Sequence, residues 1–289
     1  MMKMIKPIVN ISKVIEPYNT VVVGFNGVLT EGKGIKAEAV NALVNMKKNG
    51  KNLVLLSNSA WRVAHMVKYL HENKVPVGIF ETIVTAGEIL HYKFKARQGD
   101  YAAIGTAYYK IGDNRDLGVF ADLDYQPVDD ISRADFIYMT GAAQNIDVID
   151  DYLPLLEHAA SLGIPLVCAG NDTSSYKDGE ICLAPGAIAE QYAVLGGKII
   201  TVGKPDAKIL AYAIDGIENV KKDSVLVIGD NIATDIKGAN LLGVACALLS
   251  KGVHINFLGE GYIPDVAKTR ELATNFDAYP DFVISNLRW

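Results

Sequence analysis

The chain has 289 residues, 50% of them apolar and 21% charged, with a formal net charge of −5. This is enough apolar material for a sizeable buried core, and lysine and arginine are too dispersed to form the continuous basic face that binds nucleic acid. The three cysteines, Cys168, Cys182 and Cys246, include no C-x-x-C pair, so neither a disulfide framework nor a zinc site is suggested.

No apolar run approaches the roughly 20 residues that span a bilayer. The N-terminal segment MMKMIKPIVNISKVIEPYN is interrupted by Pro7, Asn10 and Lys13 before a signal-like run can build. A soluble, cytoplasmic protein in a reducing compartment is expected, with neither nucleic acid nor membrane as partner.

The first strong element is an apolar run at residues 21–25, ending in Asn26-Gly27, as a strand buried on both faces should. Val40, Leu43 and Val44 then recur at helical spacing after Ala37, with Asn49-Gly50 as the stop. A second buried strand at 53–56 ends in Ser57-Asn58, and Val63, Met66, Val67 and Leu70 begin another helical stripe.

Residues 86–184 read as a separate, smaller α/β domain, with strands at 102–104, 136–140 and 165–168. A long helix is expected through Ile149, Tyr152, Leu155, Leu156 and Ala159. The first grammar then returns: a strand at 199–202, a turn at Gly203-Lys204, and a helix opened by Pro205 and carrying Ile209, Leu210, Ala213 and Ile214. A strand at 224–228, the turn Gly229-Asp230 and a helix around Ile236, Ala239 and Leu242 complete the pattern. Strand and helix alternating in this way predict an α/β fold, a doubly wound parallel sheet with helices on both faces. The core is expected at 1–85 and 185–289, with 86–184 inserted into it.

Ligands of such sheets bind beyond the carboxyl ends of the strands. Four strand ends meet that description: Gly24 to Gly27, Ser57-Asn58, Gly203-Lys204 and Gly229-Asp230, with Asp235 a short step further on. A serine hydroxyl and backbone N–H groups donate to phosphate oxygens, a lysine adds positive charge, and aspartates hold a Mg²⁺ that shares those oxygens. The residue types suit a small phosphorylated molecule or free phosphate.

In order along the chain, VVVGFNGVLTEG, LVLLSNSAWR, ITVGKPDAKIL and VLVIGDNIATDIKGANLLGV resemble the four motifs of the haloacid-dehalogenase-like (HAD) superfamily. The branch they resemble is class IIA, sugar and p-nitrophenyl phosphatases with an inserted α/β cap. The resemblance covers nearly the whole chain. It implies that Ser57 and the Asn58 backbone grip a phosphate that Lys204 neutralises. It also implies that Asp230 and the Asn26 carbonyl hold Mg²⁺ beside Asp235, that Gly32 lies in a short flap, and that the cap can mediate a homodimer.

The first motif departs from the pattern. The family carries its nucleophilic aspartate where Gly24 stands and, in many members, a general acid and base where Asn26 stands. Glycine can neither attack phosphorus nor ligate through a side chain, so catalysis is expected to be lost or strongly reduced around a retained phosphate site with weakened Mg²⁺ affinity. Two alternatives remain at this level: a hydrolase that uses water or another carboxylate, Glu31 being nearest in sequence, and an interaction protein that uses the cap surface. Trp61, where relatives often have proline, and Arg62 are placed to face the cleft. Asn171, Asp172 and Asp178 read equally as a turn or as substrate contacts. The histidines show no ligand spacing, and GTAYYKIG lacks the glycine pattern of a dinucleotide fingerprint.

Overall fold

The computed structural model describes residues 4–30, 34–113, 118–144, 146–177 and 179–289. Four strands open the fold: β1 (Lys6–Pro7), β2 (Thr20–Val23), β3 (Asn52–Ser57) and β4 (Phe80–Thr85). The middle of the chain supplies β5 (Ala107–Ile111), β6 (Gln126–Pro127), β7 (Phe136–Met139), β8 (Leu166–Ala169), β9 (Ser174–Lys177), β10 (Glu180–Leu183) and β11 (Ile199–Val202). The last part adds β12 (Val225–Gly229), β13 (Ala245–Leu249) and β14 (Phe282–Ile284).

These strands form a seven-stranded sheet in the order β1-β14-β13-β12-β2-β3-β4 and a five-stranded sheet in the order β11-β8-β7-β5-β6. Every pairing within both is parallel. A two-stranded antiparallel ribbon, β9 with β10, lies apart from them.

The larger sheet is buried on both faces because its central strands carry continuous apolar runs at residues 21–23, 53–56 and 225–228. Val21, Val23, Leu53, Leu55, Leu226 and Ile228 point to one face, against Leu43 and Met46 of helix Ala37–Lys48 and Met66 and Leu70 of helix Val63–Glu72. Val22, Val54, Leu56, Val225 and Val227 point to the other, against Leu210 and Ala213 of helix Ala207–Asp215 and Leu272 of helix Val266–Phe276. The alternation is the period of two intrinsic to a strand, and it makes this the doubly wound sheet expected.

The smaller sheet repeats the arrangement. Phe136, Tyr138, Val167 and Ala169 face Leu90 and Phe94 of helix Ala86–Ala96. Ile137, Met139, Leu166 and Cys168 face Leu156 of helix Leu153–Ser161 and Ile188 and Tyr192 of helix Pro185–Val194.

Three expectations are corrected. Residues 102–104 are not a strand: Asp100–Ala103 is a helical turn, because Tyr101 and Ile104, three apart, both bury in the same cluster, and the strand is the aromatic run Ala107–Ile111. The helix expected through 149–159 is a 3₁₀ turn, Ile149–Asp151, followed by helix Leu153–Ser161, with Pro154 in its first turn. The third concerns β11, which pairs with β8 at Ile199↔Leu166 through Val202↔Ala169 and so belongs to the smaller sheet. With helix Pro185–Val194 packed on that sheet too, the smaller α/β layer continues past the boundary expected at 184. Among the described residues no helix is long and apolar enough to cross a membrane.

The two layers meet where helix Ala86–Ala96 starts. The Gly87 N–H donates to the Ser59 carbonyl at 3.0 Å, and a Cβ on Gly87 would stand 2.1 Å from the Ala60 carbonyl oxygen. Replacing Gly87 with alanine is therefore expected to destabilise the fold by about 2–3 kcal/mol through overpacking, read as a lower urea midpoint at unchanged slope.

Candidate active site

At the carboxyl edge of the larger sheet, β2 and β12 run side by side from Val225↔Thr20 to Ile228↔Val23, and the Gly24 N–H continues the ladder to the Ile228 carbonyl at 2.9 Å. Gly24 is buried, and its backbone lies outside the left-handed region. A Cβ there would meet Val28 Cγ2 at 3.2 Å and Asp235 Oδ1 at 3.6 Å. Nothing in the backbone conformation demands glycine at this position; only the Val28 methyl would have to give way, by a few tenths of an ångström.

Gly27 is different. Its φ is +72°, and a Cβ would fall 1.8 Å from Asp230 Oδ2. Gly252 closes the other side, where a Cβ would lie 2.4 Å from the Asp230 Cβ. The Asp230 carboxylate is thus boxed between two glycines, with its Oδ2 accepting the Val253 N–H at 2.9 Å. Asn26, between Gly24 and Gly27, is exposed.

At the end of β3, the buried Ser57 Oγ accepts the Ser59 N–H at 3.1 Å, so it organises the local turn while its own hydroxyl proton stays available for donation. Asn58 clamps Lys204 at two points: Oδ1 accepts the Lys204 N–H at 2.7 Å and Nδ2 donates to the Lys204 carbonyl at 3.1 Å. The Lys204 ammonium then donates to Asp235 Oδ1 at 2.6 Å and to the Leu56 carbonyl at 3.3 Å. Asp235 Oδ2 accepts the Asn231 N–H at 3.1 Å.

The structure therefore brings Gly24, Ser57, Asn58, Lys204, Asp230 and Asp235 together, with Asn26 at the rim. Glu31, Gly32 and Asp178 lie outside the described residues. It also adds members that sequence reasoning left open or passed over. Asp172 Oδ1 accepts from Thr234 Oγ1 at 2.7 Å and from Asn231 Nδ2 at 2.9 Å, and Asn171 Nδ2 donates to the Lys204 carbonyl at 2.9 Å. The available signal was Gly170-Asn171-Asp172 directly following a buried strand, the same grammar as the other strand ends.

The electrostatics are those of one cation among three carboxylates. Burial works against the Lys204 charge, but Asp235, Asp172 and Asp230 outweigh it and hold the ammonium charged above its usual range. Burial, with Asp235 and Asp172 adding to it, pushes the Asp230 carboxyl up to about 7 despite the Val253 N–H and Lys204. Burial likewise raises Asp172, with Asp235 opposing its charge and Lys204 favouring it. Such a cluster is short of positive charge, and its hard oxygen donors are of the kind Mg²⁺ prefers. Among the described residues, however, no group of three or more His, Cys, Asp or Glu side chains is placed to hold a metal. Any Mg²⁺ would depend on water and ligand oxygens for the rest of its shell.

A cleft of about 390 Å³ opens at this edge, and Phe25, Asn26, Asn58, Trp61, Thr140, Asp172 and Tyr176 are among the residues that line it.

A family model for haloacid dehalogenase-like hydrolases matches residues 18–243. The chain belongs to that family. A second model, HAD-hydrolase-like, matches residues 201–289. No curated protein matches the chain. Among solved structures, a haloacid dehalogenase-like hydrolase from Brucella suis 1330 is similar at 26% identity and a TM-score of 0.80, over 96% of this chain and 98% of that one. A possible sugar phosphatase of the HAD superfamily from Cytophaga hutchinsonii shares the fold at 18% identity and a TM-score of 0.72, over 99% and 98% of the two chains. A glycerol phosphate phosphatase from Mycobacterium tuberculosis in complex with magnesium shares it at 19% identity and a TM-score of 0.58, over 83% and 70%.

His254 supports the fourth motif from below: its Nε2 accepts the Ile232 N–H at 3.1 Å, and burial pulls its pKa down to about 4. A depressed histidine leaves the unfolded chain binding more protons between about pH 6.5 and 4, so the stability it contributes is complete above that window and is lost as pH falls through it. Thermal melts should show a steeper acid-side loss for the native protein than for His254→Gln, a difference of roughly 2–3 kcal/mol by pH 4.

Proposed function

We propose that this HAD-family protein is a class IIA phosphatase-like protein that keeps a phosphate site and has lost most or all of its turnover. The observation that carries this reading is Gly24. It stands at the carboxyl end of β2, beside Asp235, where the family's nucleophilic carboxylate belongs, and it has no side chain to offer. In comparable chemistry, removing a nucleophile costs about 10⁶ in turnover, or roughly 8 kcal/mol of barrier.

What remains suits binding. Ser57 Oγ–H and the backbone N–H groups that follow β3 donate to phosphate oxygens, and Lys204 supplies positive charge held in place by Asp235 and the Asn58 clamp. Asp230 and the Asn26 carbonyl are the groups that would hold Mg²⁺, with Asp235 beside them; the ion would neutralise phosphate charge and polarise a P–O bond. The magnesium-bound glycerol phosphate phosphatase that shares this fold supports the choice of ion. With one carboxylate and one carbonyl to hold it, its affinity is expected to be weak unless phosphate binds too.

A working hydrolase is the second reading, and Asp172 favours it. This carboxyl lies within the site, bonded to Thr234 and Asn231, and its raised pKa suits proton transfer from an attacking water.

Mg²⁺-dependent phosphate release from a panel of small phosphomonoesters, measured for the native protein and for Gly24→Asp, separates the two. The expected result is silence from the native protein and measurable turnover from the variant, which the 3.2 Å approach to Val28 Cγ2 permits. Native turnover that is abolished by both Asp230→Ala and Asp172→Asn would instead establish the hydrolase.

A further inference from the structure

A second cavity, of about 430 Å³, adjoins the cleft, and Tyr176 lines both. Tyr176 stands on β9, paired with Ile181 of β10, so the antiparallel ribbon is common to the two spaces. Lys36, Lys251 and Asn286 line the second cavity from the larger layer. Its volume is in the range of small-molecule sites.

Both lysines adjoin the box that confines Asp230. Lys36 Nζ donates to the Gly27 carbonyl at 3.0 Å. Lys251 immediately precedes Gly252, and its backbone N–H is anchored on the Ser285 carbonyl at 3.1 Å. Gly27 and Gly252 are the two residues at which a Cβ would strike the Asp230 side chain. The second cavity therefore borders the candidate site twice, through Tyr176 and through these two lysines.

The charges lining this cavity are not equivalent. Lys36 and Lys251 are half-buried, whereas Glu38 and Glu260, which also line it, are exposed. Water and salt screen the exposed carboxylates more fully than the partly covered ammonium groups. The net attraction inside is for an anion, drawn by two cations from distant parts of the chain.

We propose that the second cavity is a subsite for a second phosphate group, carried at the far end of a phosphorylated small molecule and held by Lys36 and Lys251. The inference rests on the phosphate-site reading above and adds that the ligand is an extended bisphosphate. Two separated anion sites also select for length, because a ligand with one phosphate satisfies only one of them.

The test is calorimetric titration, with Mg²⁺ present, of fructose 1,6-bisphosphate, fructose 6-phosphate and inorganic phosphate into the native protein, Lys251→Gln and Lys251→Glu. A bisphosphate offers two phosphates to one site, so about twofold is expected from statistics alone. The native protein should prefer it over the monophosphate by about five- to tenfold. Lys251→Gln should lower that preference and Lys251→Glu should remove it, both holding inorganic phosphate within about twofold of native, which also verifies that the variants are folded. A native preference of twofold or less, or one that survives in Lys251→Glu, overturns the subsite and leaves the phosphate site standing. Failure of the native protein to bind inorganic phosphate overturns the phosphate-site reading, and this inference with it.

Discussion

Lys204 and Asp235 form an ion pair in which both side chains are almost wholly withdrawn from water, at 9% and 5% exposure. A charge in that position is tolerable only when paired and hydrogen-bonded, and losing one partner of such a pair costs about 3–5 kcal/mol. The pair draws on three distant parts of the chain. Lys204 arrives just past β11 of the smaller sheet, Asp235 from the π-helical turn Ile232–Ile236 after β12, and the Leu56 carbonyl from β3. The Asn58 clamp on the Lys204 backbone holds the same junction from a second direction. The placement of the smaller layer over the strand edge, and with it the shape of the cleft, depends on this junction.

The same pair governs what the site can do. The Lys204 ammonium donates to Asp235 Oδ1 and to the Leu56 carbonyl, so its charge is compensated within the protein. Asp230 is braced separately by Val253 and confined between Gly27 and Gly252. The Asp235 carboxylate, held by the ammonium, stands beside Gly24, where a Cβ would lie 3.6 Å from its Oδ1.

Most of the candidate site was legible because its residues follow continuous apolar runs. Gly24, Ser57, Asn58 and Asp230 each stand at or just after the end of such a run, and the continuous apolar runs at 21–23, 53–56 and 225–228 mark the buried strands that carry them. Asp172 follows an equally buried run, but it sits between Asn171 and Thr173 in a stretch that reads as a turn, and only its bonds to Thr234 and Asn231 bring it to the fourth motif. Tyr101 and Ile104 show the converse: a short apolar run reads as a strand, but the helical spacing of its two large side chains prevails.

The α/β class, the doubly wound sheet and the polar residues at its carboxyl edge are written into the order of the chain, because burial on two faces and strand-end polarity are local patterns. The tertiary structure alone decided that β11 joins the smaller sheet, that Asn58 grips Lys204 across 146 residues of sequence, and that Trp61, Tyr69 and Phe25 make one wall of the cleft. Those outcomes depend on which apolar face finds which partner. A strand such as Ile199–Val202, alternately exposed and buried, would satisfy its hydrogen bonds and its burial equally well at the edge of either sheet, so only packing in three dimensions selects between them.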